Sequence, residues 1–431
     1  MTERLSRWRG TNVVLDTTWG DSGKGKLVDV MAQRAKMVVR FNGGPNAGHT
    51  VKNEHGEFKF HQIPSGIFNP EAISVIAQTV AVNPNVLLGE IAELKAKGIE
   101  VSKANLLVSE EAHLIMPWHI QRDRLRETAR GEEKIGTTGQ GIGPVFADRT
   151  ERVGLKVKDI LDPRLPEILA KELAWQEKLT QLMLDTSEPQ YDYDSILEDL
   201  RKAADTLAPM ISQVLPLIRL FHKRGNNILG EGAQGALLDL DLGGYPFVTS
   251  THPTLSGFSQ ATGIYANISR IIGVTKAYQT RVGEGPMPTE LENEIGATLR
   301  ERGKEYGATT GRPRRCGWID IPAIRYGAMI SGVKSLAITK LDVLDSFDEI
   351  RICAAYRDHG HDYKFGYPDT MARAVPIYIN LKGWREDTSG AKDIRSLPEK
   401  CSFYLTTIQE LVGLPVEFVS VGPERNQSIY L

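Results

Sequence analysis

The chain has 431 residues, with 52 lysines and arginines against 54 aspartates and glutamates for a formal charge of −2, and 41% of its residues are hydrophobic. Such a composition excludes a disordered tail and a nucleic-acid-coating surface. Its 41 glycines exceed the usual ~7% share, and they gather in a few turns.

Three widely spaced cysteines, Cys316, Cys353 and Cys401, give neither a disulfide framework nor a metal quartet, and point to a reducing, cytoplasmic setting. No run approaches the ~18 to 20 apolar residues a membrane helix needs. The Arg-bearing start, Met1 to Gly10, leads into no apolar signal core and reads as a short extension before the first strand.

Val13-Val14-Leu15 is a short apolar run that ends in Asp16-Thr17-Thr18-Trp19-Gly20 and leads, past Gly23, Lys24 and Gly25, into an apolar helical pattern at Leu27, Val30 and Met31. That is strand, glycine-rich turn, helix. Met37 to Phe41 predicts a second strand before the turn Asn42 to Thr50. Further strands are expected at Ser74–Ala77, Asn105–Val108, Asn227–Leu229, Ile271–Val274, Ser335–Ile338 and Val416–Val421. Strands alternating with helices predict an α/β fold, with a large mainly parallel central sheet flanked by helices. Residues 158–224 depart from this rhythm, with Leu165, Leu169, Leu173, Leu179, Met183, Ile196, Leu200, Met210, Val214 and Leu217 at helical spacing. They read as a helical insertion whose apolar stripes pack in the core. A length suggesting about three domains at ~150 residues each is read as one domain over 1–431, because no linker interrupts it.

Gly20-Asp21-Ser22-Gly23-Lys24-Gly25-Lys26 sits at the end of the first strand, where backbone amides and a helix amino terminus hold phosphate and lysine adds charge. It is not the common P-loop, which has four residues between its first glycine and the Gly-Lys pair; here there are two. A carboxylate beside phosphates serves as a magnesium ligand or a general base, which makes Asp21 the unusual member. Asn46-Ala47-Gly48-His49-Thr50 is a second glycine turn, with a histidine placed to hydrogen-bond or donate a proton at phosphate. Thr137 to Pro144 is another candidate phosphate loop. Glu231-Gly232-Ala233-Gln234-Gly235 presents an amide that matches a lactam edge. Ala308-Thr309-Thr310-Gly311-Arg312-Pro313-Arg314-Arg315 offers the forked donors that carboxylates and phosphates take best. Thr339-Lys340-Leu341-Asp342 resembles the guanine-reading element of GTP-binding proteins, in which one carboxylate accepts from the ring N–H and the exocyclic amine.

In this order, GDSGKGK, NAGHT, TTGQGIGP, EGAQG, YPFVTS, TRVGEGPMPTEL, GATTGRPRR and TKLDVLD resemble the adenylosuccinate synthetase family over about Asn12 to Ile429. The resemblance implies a GTP-dependent ligase that joins L-aspartate to IMP, giving adenylosuccinate, GDP and phosphate through a 6-phosphoryl intermediate, in AMP biosynthesis. It implies catalytic roles for Asp21, His49, Gln234 and Lys24, and one Mg²⁺ per subunit on Asp21 and the Gly48 carbonyl. GTP is expected at Gly20 to Lys26, Gly48, His49, Thr50, Arg314, Lys340, Leu341, Asp342, Ser420, Val421 and Gly422. IMP is expected at Asp21, Ser22, Gly23, Lys24, Asn46, Ala47, Gly48, His49, Thr138, Gln234, Thr249 and Arg312. Aspartate is expected at Ala308, Thr309, Thr310, Gly311, Arg312, Pro313 and Arg314. Arg152 matches the arginine that reaches into a neighbouring subunit's IMP site, which implies a homodimer.

Five departures stand out: Ser22 replaces the family's glutamate, Pro45 its histidine, Gln140 its arginine, Pro313 interrupts an arginine run, and Leu242-Gly243-Gly244 replaces His-Gly-Thr. They keep open a divergent paralogue acting on GMP or dGMP, or with another amino donor. A GTP-binding regulator without ligase activity is the remaining alternative.

Overall fold

The computed structural model describes residues 8–307 and 311–431. Met1 to Arg7 of the expected extension, and Ala308, Thr309 and Thr310 of the expected aspartate loop, lie outside the described residues.

Ten strands form the principal sheet of the described residues: β1 Thr11–Asp16, β2 Met37–Arg40, β3 Ile73–Ile76, β4 Leu106–Ser109, β5 Ile211–Ser212, β6 Ile228–Glu231, β7 Ile268–Lys276, β8 Ser335–Thr339, β9 Val416–Ser420 and β10 Ser428–Tyr430. Their order is β10-β9-β8-β7-β1-β6-β2-β3-β4-β5. Every pairing is parallel except β9 with β10. Each of the eight strands expected from the sequence is present. β1 and β2 are buried along their whole length, which is why they read as continuous apolar runs rather than alternating ones. Phe41, just past β2, meets Phe258 edge to face at 5.7 Å between ring centres, and both side chains are fully buried. Truncating Phe41 to alanine would cost ~3–5 kcal/mol at such a site.

Other features went unread in the sequence. The stretch 158–224 is mainly helical, with helices Leu165–Leu184, Tyr193–Leu207 and Val214–Lys223, but it also supplies β5, a two-residue strand that pairs with β4 at the sheet edge. The apolar stripe of its first helix is only half a core face. Leu165 and Leu169 are buried, whereas Met183 is 43% exposed and its neighbour Leu182 80% exposed. Gln176 and Thr180 take the inner positions there, hydrogen-bonded to Asp148 and Tyr191. A smaller sheet of Ile319–Asp320, Glu349–Asp358, His361–Tyr363 and Val375–Lys382 also went unread.

Because the strands run parallel, their carboxyl ends share one edge, the usual location of ligand sites in open α/β sheets. Asp16 ends β1, Arg40 β2, Glu231 β6, Thr339 β8 and Ser420 β9. Each candidate loop except those at 137–144 and 307–315 leaves from one of these ends.

Candidate active site

Asp16, the last residue of β1, shapes the first loop. Its Oδ1 accepts from the amides of Thr18 and Gly20, at 3.0 and 3.2 Å, and its Oδ2 from the Ser22 amide and Lys24 Nζ, both at 3.1 Å. The Gly20 and Ser22 amides therefore point inward, to Asp16. The helix Lys24–Ala32 remains available, because it starts after Gly23 in left-handed backbone (φ 85°) with no side-chain cap. Its first amides and positive end suit an anion. Ser22 is buried, with its hydroxyl on the Gly20 carbonyl at 3.4 Å and its own carbonyl accepting from Thr339 Oγ1 at 2.6 Å.

The two lysines of this loop do different things. Lys24 Nζ donates to the Gln234 carbonyl at 2.7 Å as well as to Asp16, tying the EGAQG turn to the first loop. A Cβ on Gly235 would lie 2.2 Å from the Thr18 carbonyl oxygen, so only glycine lets the two backbones meet. Lys26 faces away from the loop, donating at 2.7 Å to Ser420 Oγ and to the Gly422 and Gln427 carbonyls. Burial pushes its ammonium down to about 7.

A cleft of about 390 Å³ is lined by Gly20, Asp21, Lys24, Asn46, Ala47, Gly48, His49, Thr138, Gln234 and Thr249, among others. These come from four of the expected loops and the stretch at 245–250. Asp21 is held in left-handed backbone (φ 57°), as is Gln234 (φ 56°). Non-glycine residues adopt this conformation at a cost, and active sites are where it recurs. Gln234 Oε1 accepts from Asn42 Nδ2 at 3.3 Å, while its buried Nε2 has no partner in the protein. Thr249 is fixed through its amide, 2.8 Å from the Leu238 carbonyl.

His49 is oriented by a residue whose role the sequence left unread. Its Nδ1 donates to Glu231 Oε1, and Glu231 also accepts from the Ser65 amide and hydroxyl, both at 2.8 Å. Arg40, beside Glu231 in the β2–β6 register, approaches the same Oε1 at 3.5 Å. Burial, with Arg40 next, pushes the His49 imidazole down to about 4. Burial alone would raise the Glu231 carboxyl, but the His49 hydrogen bond and the His49 and Arg40 charges hold it below its ordinary value. With Nδ1 turned to the Glu231 carboxylate, the ring is fixed in orientation and Nε2 is left for the cleft.

The expected guanine elements lie on the other side of the first loop. Lys340 has left-handed backbone (φ 57°), and its Nζ donates to the Gly303 carbonyl at 2.5 Å and to Glu305 at 2.9 Å. Leu341 and Val421 are fully buried beneath this turn. Asp342 Oδ1 is buried with no partner in the protein, and burial raises its carboxyl. An acceptor left unpaired at such a place suits a ligand donor. Ser420 and Gly422 are positioned by Lys26, as described above. Thr50 is exposed on the strand His49–Asn53.

Gly311, Arg312 and Pro313 form the exposed arm of a hairpin. The Gly307 amide donates to the Arg312 carbonyl at 2.8 Å, and the Arg314 amide to the Glu305 carbonyl at 2.9 Å. Arg312 reaches the Gly136 carbonyl at 3.4 Å. Arg314 is buried, and its NH2 lies 2.9 Å from Asp21 Oδ2, so the hairpin already touches the cleft. Arg152 does not line the cleft. It ends the helix Ile142–Glu151, exposed and left-handed (φ 66°).

The family model for adenylosuccinate synthetase matches residues 13–429. The chain belongs to the adenylosuccinate synthetase family. The adenylosuccinate synthetase of Caldanaerobacter subterraneus subsp. tengcongensis is 45% identical over 424 residues, which span 97% of this chain and 98% of that one. That of Desulforamulus reducens is 43% identical over 426 residues, 98% of each chain. The solved structure of fully ligated adenylosuccinate synthetase from Plasmodium falciparum superposes with a TM-score of 0.92 at 32% identity, covering 98% of this chain and all of that one. A cyanophage S-2L succinoaminodeoxyadenylate synthetase shares the fold, with a TM-score of 0.62 at 17% identity over 98% of this chain and 95% of its own. As a member of the synthetase family, the protein is a GTP-dependent ligase that joins IMP and L-aspartate on the way to AMP.

Among the residues of the synthetase's cleft absent from the sequence reading of the site, three form a stack. Trp19, Phe247 and Arg281 line the cleft together, with the Arg281 guanidinium over both rings at 5.6 and 5.9 Å. Such a stacked cation suits a planar base or an anionic substituent. The signal was present for two of them, since Arg281 lies in TRVGEGPMPTEL and Phe247 in YPFVTS.

Proposed function

We propose that Asp21 removes the proton from the lactam nitrogen of IMP and that the resulting six-position oxyanion attacks the γ-phosphorus of GTP, releasing GDP. The amine of aspartate then attacks the purine carbon and phosphate departs. A lactam oxygen is a poor leaving group, so its conversion to a phosphoryl ester is what makes the displacement practicable.

The observation that carries this reading is the pairing of a carboxylate and an orphaned amide in one cleft. Asp21 lines it beside Gln234, whose buried Nε2 has no protein acceptor. A lactam edge supplies the matching acceptor for Nε2 and a proton for the carboxylate. His49 presents Nε2 to the oxygen and the γ-phosphate, and Glu231 stabilises the imidazolium if it protonates there. Lys24 holds the Gln234 backbone and the loop that carries Asp21. Asn46, Ala47, Gly48, Thr138 and Thr249 hold the IMP phosphate and sugar side.

Lys340, Asp342, Ser420 and Gly422 read guanine, with Asp342 Oδ1 as the waiting acceptor. The hairpin around Arg312 takes aspartate, and Arg314 moves from Asp21 toward the γ-phosphate as substrates enter. Asp21, partly exposed, and the Gly48 carbonyl are hard oxygen donors on one cleft wall and fit a magnesium ion. Bound there, magnesium would neutralise charge on the transferring phosphoryl group. Arg152, exposed and outside its own cleft, completes a second copy's site in a homodimer. The whole chain acts as one domain in the cytoplasm, where its three buried thiols stay reduced.

The test is to give the purified protein GTP, Mg²⁺ and aspartate with IMP, GMP or dGMP in turn and to weigh the products. Adenylosuccinate from IMP is expected. A succinylated product from GMP or dGMP alone would overturn the choice of purine.

A further inference from the structure

Glu305 is the most heavily charged contact point of the described residues that the chemistry above does not use. It follows the helix Glu294–Gly303 and is fully buried. Its two oxygens divide their partners. Oε1 accepts from Lys340 Nζ at 2.9 Å and from the Tyr278 hydroxyl. Oε2 accepts from Lys276 Nζ at 2.8 Å and from Arg314 NH1 at 2.5 Å. Its backbone carbonyl takes the Arg314 amide, closing the base of the hairpin.

The helix end and the bend at Tyr278 are pressed together at this point, since a Cβ on Gly303 would lie 2.2 Å from the Tyr278 hydroxyl. The carboxylate therefore has no room to swing. Burial alone would raise it, but the charges of Lys276, Lys340 and Arg314 hold it well below the carboxylate range. Burial in turn pushes Lys276 down to about 8.

Two of the three cations belong to different substrates. Lys340 stands at the guanine-reading turn, and Arg314 touches Asp21 through its other guanidinium nitrogen at 2.9 Å. Lys276, 1% exposed and held also by Thr280 at 2.6 Å, anchors the group to the core sheet. One rigid carboxylate thus fixes how far the guanine turn stands from the arginine serving the phosphoryl and aspartate side. If neutralising a buried lysine were its whole purpose, Lys276 alone would satisfy it, and the carboxylate would not be shared with two residues of the site.

We propose that Glu305 is a positioning residue that couples the guanine turn to the aspartate hairpin, so that GTP and aspartate are recognised as a linked pair while IMP is not. The inference rests on the reading of Lys340 and Arg314 given above. An amide at this position cannot accept with both atoms, so Glu305→Gln frees either the Lys340 or the Arg314 side.

The test compares wild type, Glu305→Gln, Glu305→Asp, Lys340→Met and the double variant Glu305→Gln/Lys340→Met by initial-rate kinetics with each substrate varied. Glu305→Gln is expected to raise the KM for GTP and for aspartate at least tenfold each, with the KM for IMP changed less than twofold. Its GTP penalty is expected to overlap that of Lys340→Met rather than multiply it. Glu305→Asp keeps the charge that the buried Lys276 needs and loses the reach, so it should fold with a lowered thermal midpoint while both KM values still rise and the KM for IMP does not. Equal changes in all three KM values, multiplicative penalties, or wild-type kinetics in Glu305→Asp would each overturn the coupling. Should Glu305→Gln fail to fold, the aspartate variant alone decides by the same KM pattern. Wild type unable to make adenylosuccinate would instead remove the functional reading on which the inference stands.

Discussion

Replacing Glu231 by glutamine probes the reaction without touching the cleft wall. Glu231 is fully buried and accepts four contacts: His49 Nδ1, the Ser65 amide and hydroxyl at 2.8 Å, and Arg40 at 3.5 Å. Glutamine has the same shape but one acceptor atom, so either His49 or the Ser65 amide faces an NH₂ group. A hydrogen bond to a charged group contributes ~1.5–3 kcal/mol, and an unpaired buried donor costs about as much again. The larger effect is expected in turnover, because the carboxylate matters most when His49 gains positive charge beside the transferring phosphoryl group. Losing ~3 kcal/mol there lowers kcat by about 10²-fold. KM for GTP and IMP should change less than threefold, since Glu231 touches neither. The thermal midpoint should fall by a few degrees from the Ser65 side. Steady-state adenylosuccinate formation with each substrate saturating measures kcat. Turnover within threefold of wild type in a folded variant would refute the proposed support of His49, and an effect confined to KM would show that Glu231 serves binding instead.

Asp21→Asn should form no adenylosuccinate while still binding GTP; near-normal turnover would remove Asp21 as the base. Asp342→Asn loses one of two charge-assisted contacts to guanine, worth ~1.5–3 kcal/mol, so kcat/KM for GTP should fall about 10²-fold and the preference over ATP should narrow alike. Competition between the two nucleotides tests this, and an unchanged ratio would contradict it. His49 also predicts a slope of stability with pH. Burial first, then the Arg40 charge, puts its folded pKa at about 4, below the ordinary 6.5. Between those values the unfolded chain binds more protons, so this group's contribution rises with pH from about 4 to 6.5 and is level above. Buried Asp320, pushed up to about 7, gives the opposite slope over most of that window. The comparison is therefore between wild type and His49→Gln, which share Asp320: the variant's thermal midpoint should depend less steeply on acid, and an identical dependence would refute the assignment.

The strand, glycine turn and helix start that line the cleft were legible in the sequence because they are local. A glycine turn after a strand, an aspartate within it and a lysine at the helix start are consecutive residues, so GDSGKGK carries its meaning in seven letters. The sheet was legible for a similar reason, as parallel strands buried on both faces must be continuously apolar. The groups that hold the site in shape are not local. His49 and its carboxylate lie 182 positions apart, and Lys26 and Ser420 394 apart. A buried charge accepts a partner from any element the fold brings near, so neither residue type nor spacing reveals the pair. Lys26 shows the consequence, since nothing in its loop announces that its ammonium reaches Ser420, Gly422 and Gln427 in the carboxyl-terminal segment.

The backbone supplies a signal that residue identity does not. Nine non-glycine residues among those described have positive φ, and Asp21, Arg152, Gln234 and Lys340 are four of them. Asp21, Gln234 and Lys340 were singled out from the residues themselves, Arg152 only through the family resemblance. A left-handed lysine or glutamine relaxes unless its surroundings forbid it, and for three of them the contacts that forbid it are visible. Lys24 grips the Gln234 carbonyl, Arg314 holds the Asp21 side chain, and Gly303 with Glu305 holds Lys340. Arg152 has no such clamp on its side chain among the hydrogen bonds and ion pairs described. It closes the helix Ile142–Glu151 instead, where its amide donates to the Arg149 carbonyl at 3.2 Å and a left-handed residue is the ordinary way for a helix to end.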